Sequence, residues 1–226
     1  MTDDTPMVGL WKSTLHYDLQ WVITALRENR PRKTDFPSWS WLSREAPVQL
    51  RFSNFFGPPD GNVMVDIAVE KWDIVWLAEP FTSAVRSVNL TISGPVVETF
   101  IKPLSTPPPD TALTWVKMAL HPPSSLRHRF LRNGFLRRCS PEEELALAVC
   151  AFDDQDPEAH VQQICLLLYT IIGEEKRQEA FLILIKSQHE DDCHTSYSRV
   201  GTGCIGTKRT ECGLFDGAPR LVLNIV

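Results

Sequence analysis

Apolar residues recur every three or four positions at the start of the chain. Trp11, Leu15, Leu19, Val22 and Leu26 share this spacing, which predicts an N-terminal helix over 8–28 with one apolar stripe. Asn29 and Pro31 end it. The period then changes. In PSWSW, Pro37, Ser38, Trp39, Ser40 and Trp41 alternate polar and aromatic, so in a strand both indoles face one side and both serines the other. The helical stripe is expected to pack on that indole face. Val63, Val65, Ile67 and Val69 alternate with Met64, Asp66, Ala68 and Glu70, as a half-buried strand does. KWDIVWLAEPF extends the sheet. Val88, Leu90 and Ile92 alternate up to a turn at Gly94-Pro95, and VVETFI resumes after it. ICLLLYTII and AFLILI read as two central strands, and RLVLNIV as a last one.

Between these strands, residues 103–125 are proline-rich and predict a loop or insertion. PEEELALAV, residues 141–149, predicts a short helix, with Pro141 at its start and acids in its first turn. FDDQDPE reads as a loop. The expected fold is therefore mainly β. It is a single strand-rich domain over 1–226, with sandwich or barrel-like antiparallel sheets, an N-terminal helix packed on the sheet and one or two short helices.

Composition narrows the function. The 226 residues are 43% hydrophobic and 23% charged, as globular chains are. A chain this long buries roughly 70% of its extended surface, so its core needs no disulfide or metal. With 23 Lys plus Arg against 28 Asp plus Glu, the formal charge is -5. That balance argues against nucleic acid and anionic membrane as partners. MTDDTPMVGLWKS lacks the apolar core of a signal peptide, and no run approaches the ~20 apolar residues of a membrane span. The expectation is a cytoplasmic protein whose six cysteines are free thiols.

Four stretches invite a chemical reading. GTGCIG, residues 201–206, has the spacing of a dinucleotide fingerprint, but no helix or crossover follows. A glycine-rich turn is expected there and no cofactor. HEDDCH offers His189, Cys193 and His194 as weak metal candidates. The second histidine falls at i+5, off the face of the first, so a polar hairpin loop is expected and no metal. FDD supplies carboxylates whose separation the sequence does not fix. RHRFLRNGFLRRC gathers Arg127, Arg129, Arg132, Arg137 and Arg138 around Phe130 and Phe135. Such a patch can steer an acidic protein partner, with the phenylalanines as its apolar anchor. No G-x-S-x-G elbow is present, and the catalytic residues stay unknown.

Several of these motifs resemble one family in order. PSWSW with Ser43 and Pro47-Val48 resembles P-S-W-S-W-A-S-x-D-G-P-V, found downstream of the HET domain in fungal heterokaryon-incompatibility proteins. Leu42 replaces the usual alanine, and Glu45-Ala46 the usual aspartate-glycine. GLWKSTLHYDLQW, SVNLTISGPVV, CLLLYT, FLILIK and SYSRVG resemble the family's flanking segments, over residues 8–226. The HET domain's own L-S-Y-x-W-G motif does not occur. The resemblance implies a non-catalytic interaction or regulatory module that binds a protein partner. The alternative is a small-molecule binding protein, or a cofactor-independent cyclase or isomerase, with an apolar pocket among its aromatic-rich strands.

Overall fold

A computed structural model describes residues 4–23, 32–50, 61–79, 83, 85–103, 114–120, 145–153, 162–187, 195–209 and 212–226. The first segment is not the expected helix over 8–28. Strands β1 (Pro6–Met7) and β2 (Leu10–Trp11) form a tight hairpin, followed by a single helical turn, α1 (Leu15–Asp18), and by β3 (Val22–Ile23). The reversal needs Val8 and Gly9 at positive φ, 48° and 85°, a conformation that no helix contains. Only Leu15 and Leu19 realise the helical spacing. Both are buried, whereas Trp11 is half exposed. PSWSW departs from expectation too. Ser40 caps a 3-10 turn over Trp41–Ser43, so the two indoles do not share a strand face. Strand β4 (Val48–Gln49) then pairs with β3.

Among the described residues, the rest is one mixed sheet of nine strands with a single short α-helix beside it. Its strands are β5 (Asn62–Val65), β6 (Ala68–Trp76), β7 (Val85–Pro103), β8 (Thr114–Leu120), β9 (Leu145–Phe152), β10 (Gln162–Ile172), β11 (Lys176–Lys186), β12 (Ser196–Lys208) and β13 (Arg220–Ile225). All pairings within it are antiparallel except β12 with β13. The path of pairings runs β7–β8–β9–β12–β11–β10 and returns to β7. Strand β13 bridges β7 and β12 a second time. Strand β6 pairs with β7 and with no other strand among the described residues.

Three further expectations are corrected. No turn occurs at Gly94-Pro95, because β7 runs through it for 19 residues. Gly94 and Pro95 lie opposite Leu221 and Arg220 of β13, and Val96 lies opposite Leu166 of β10, so the backbone stays laddered across the proline. The proline-rich span 103–125 contains β8; its residues 104–113 and 121–125 lie outside the described residues. The expected helix at 141–149 is instead β9 from Leu145 onward. That backbone is claimed by β8 on one side and β12 on the other, and this long-range pairing overrides a local helix signal.

Strands β10 and β11 are buried on both faces. Leu166, Leu168, Ala180, Leu182 and Leu184 point to one cluster, with Met7, Leu10, Leu15, Leu19 and Trp39 packed over them. Cys165, Leu167, Phe181 and Ile183 point to the other, with Ala148, Cys150, Phe152 and Phe215. Two-sided burial explains why these strands read as unbroken apolar runs rather than alternating ones. Among the described residues no helix is long and apolar enough to cross a membrane.

Candidate functional site

The PSWSW motif works as a clip between segments distant in sequence. Ser38 donates from both its N–H and its Oγ to the Val226 carbonyl, and Ser38 Oγ accepts from the Arg199 N–H at 2.9 Å. Ser40 Oγ donates to the Val8 carbonyl at 2.6 Å. Trp41 Nε1 donates to the Gly9 carbonyl at 2.8 Å, which ties the strained hairpin turn. Trp21 Nε1 donates to the Trp39 carbonyl at 2.8 Å. Irregular backbone has no ladder of its own, so side chains must meet its polar groups. Serine does so as a short donor and acceptor, and tryptophan as an apolar body with one donor. Trp39 supplies the apolar part and is fully buried.

Beneath the clip lies Arg199 of β12, which sequence reasoning passed over. Its side chain is 0% exposed. The guanidinium carbon stands 3.4 Å from the Trp21 ring centroid. Nη2 donates to the Trp21 carbonyl at 2.6 Å and meets Asp153 Oδ1 at 3.2 Å. Asp153 belongs to FDD, and the structure uses this carboxylate in the core. Burial lowers the Arg199 pKa to about 10; the Asp153 carboxylate opposes the shift, and the Arg44 and Arg32 charges reinforce it. Arg199 therefore stays charged at neutral pH. The signal for it was a lone arginine inside a strand of small and apolar residues.

The surface offers a different environment. Lys12, Ser13, Leu15, His16, Val65, Ile67 and Val69 line an open groove of about 260 Å³. Val65, Ile67 and Val69 alternate along the chain and supply its apolar floor. Lys12 Nζ sits 4.1 Å from the Trp72 ring centroid. Trp11 and Val65 are 50% and 51% exposed.

GTGCIG is neither a nucleotide loop nor a turn. It lies within β12, where Gly203 passes under the Phe181 ring. A Cβ on Gly203 would stand 2.4 Å from Phe181 Cε2 and 2.9 Å from Cys150 Sγ. Cys150, Cys165 and Cys204 are buried thiols, and Cys212 is exposed. Burial raises the first two well above the usual thiol range, and pushes Cys204 up to about 12 although the Gln178 amide opposes it. These three remain protonated and are poor nucleophiles. At the rim of the same region, Arg177 Nη2 bridges Glu179 and Asp216 at 2.7 Å each. Glu179 Oε2 also accepts from the Leu214 N–H at 2.7 Å.

The metal candidates His189, Cys193 and His194 lie outside the described residues. So does the basic patch of Arg127, Arg129, Phe130, Arg132, Phe135, Arg137 and Arg138. Among the described residues, no group of three or more His, Cys, Asp or Glu is placed to hold a metal ion. No family, curated protein or solved structure matches the chain.

Proposed function

We propose that this chain is a non-catalytic interaction or regulatory module. In this reading its returning circuit of strands is a barrel-like β-domain, related to the portion that follows the HET domain in fungal heterokaryon-incompatibility proteins. The observation that carries the interaction reading is the groove face. Half-exposed Val65 lies in an open groove with Ile67, Val69 and Lys12, and half-exposed Trp11 precedes Lys12 in the chain. Exposed aromatic and aliphatic side chains rimmed by charge mark binding surfaces. The Arg199–Asp153 pair, by contrast, is sealed from solvent and holds the scaffold. At about 260 Å³ the groove falls below the ~300–1,000 Å³ common for small-molecule sites.

Capture of the full chain on a support, followed by mass spectrometry of bound proteins and small molecules, tests the reading. A Trp11→Ala, Val65→Thr variant serves as the control, with its melting temperature checked. A protein partner held by the native chain and lost from the folded variant is expected. A small molecule recovered with no protein partner would replace this reading with the ligand-binding one. A partner retained by that variant but lost on changing Arg132, Arg137 and Arg138 to Glu would move the interface to the basic patch.

A further inference from the structure

From the sheet, only Val65, Ile67 and Val69 line the groove. All three belong to one marginal segment, which runs as β5, the link 66–67 and the start of β6. Among the described residues, β5 pairs only with β10 and β6 only with β7. The Asp66 N–H donates to the Leu168 carbonyl at 3.0 Å, so the backbone turns toward β10 at Asp66. Consecutive residues of an antiparallel strand present their N–H and C=O to opposite sides. The backbone groups of Val65 and Ile67 therefore face away from β10, along the unpaired margin. The same two residues offer a ladder at the margin and apolar side chains in the groove. The facing wall carries exposed Lys12 and half-buried His16, and no acid lines the groove among the described residues. Asp4, whose charge acts on Lys12, is engaged by the Ser13 N–H at 3.0 Å.

We propose that this margin is a strand-addition site, which takes an extended segment of a protein partner with apolar residues at alternate positions and an acidic residue among them. The proposal rests on the interaction reading above and specifies its mode. The segment pairs its backbone with Val65 and Ile67. Its apolar side chains, on one face, lie over the floor of Val65, Ile67 and Val69, and its carboxylate meets Lys12. In this mode main-chain bonds supply affinity, and the places for alternate side chains supply specificity. An unpaired edge is a template for such pairing. Lys12 and the acid-free lining favour a segment of the opposite charge.

Amide hydrogen exchange of the full chain, read residue by residue by NMR, decides it. In the free chain the Val65 and Ile67 amides should exchange fast and the Asp66 amide slowly. A display library of short random peptides is selected on the full chain, and the best binder is synthesised as the probe. It should alternate apolar residues and carry an acid. Its addition should slow exchange at Val65 and Ile67 by about tenfold or more and leave Asp66 as before. N-methylation of every second peptide amide should weaken binding by about tenfold or more in one register and little in the other. A groove that reads side chains alone would show no such alternation. Lys12→Glu, at an exposed position, should weaken binding several-fold and turn the selection toward basic peptides. Slow exchange at both amides in the free chain overturns the site, because the chain itself or a second copy then fills the margin. A library that yields no binder overturns it too. A bound peptide that leaves both amides unchanged overturns strand addition, while the interaction reading stands.

Discussion

The two faces of the β10–β11 pair are equally apolar but are covered in different ways. One face lies under β9 and the Phe215 loop, and β9 is held by ladders to β8 and β12. The other is lined by β7 and β13 and lies in addition under the N-terminal segment, whose strands are two residues long and whose helix is one turn. A laddered cover satisfies its backbone by pairing and needs only side chains that fit. An irregular cover leaves carbonyls and N–H groups over, and each needs a side-chain partner. The serines and tryptophans of PSWSW, with Trp21 and Arg199, answer that requirement. Polar residues thus gather where regular structure is missing, even over a core as apolar as any other.

The largest effect should come from the irregular cover. Trp39→Ala removes its main apolar body and should cost about 3–5 kcal/mol, read as a lower urea midpoint at unchanged slope. An unmoved midpoint would show that the clip's hydrogen bonds alone hold the face. On the laddered face the sensitive change is an addition. Gly203→Ala puts a methyl into the Phe181 ring and should cost about 1–3 kcal/mol. Pairing it with Phe181→Leu should recover part of that loss, because the two sites touch. Simple additivity of the two losses would contradict the contact.

The smallest effect belongs to Glu179 at the rim of that face. Burial raises its pKa above the ordinary 4.5, against the opposing pull of Arg177 and the Leu214 N–H. A carboxyl raised in the folded state contributes stability that is whole below 4.5 and is lost as pH rises through the folded value. Glu179→Gln keeps the acceptor without the charge. The native chain should therefore lose ground to this variant as pH rises above 4.5. Melting temperatures of the two across that range would show it, and a constant difference would refute it.

What the sequence disclosed follows the same division. Strands β10, β11 and β13 were legible because burial writes itself into apolar runs or alternation. The mainly β character was legible for that reason. The N-terminal segment was not. Leu15 and Leu19 carry a helical spacing, yet a positive-φ hairpin at Val8 and Gly9 precedes them and only one turn forms. Strand β9 hid behind Pro141 and three glutamates, since its partners lie far along the chain. Glycines 201 and 203 suggested a turn, whereas they sit in a strand, Gly201 close against Ala151 and Phe152 and Gly203 under Phe181. PSWSW stood out as a packing device, but its geometry depends on Val226, Arg199 and Gly9, which no local pattern reveals. The Asp153–Arg199 pair was hidden for the same reason, since its two residues lie far apart in the chain.

Strand β6 has a consequence for how copies of the molecule meet in solution. Along nine residues it pairs only with β7 among the described residues, and an unclaimed strand edge is a template for aggregation. Its register shifts twice, between Val69 and Lys71 and between Val75 and Trp76. Exposed Glu70, Lys71 and Asp73 stand between those points. A second copy laying its own β6 alongside would have to match both irregularities. The two irregularities and the exposed charges along it work against that pairing.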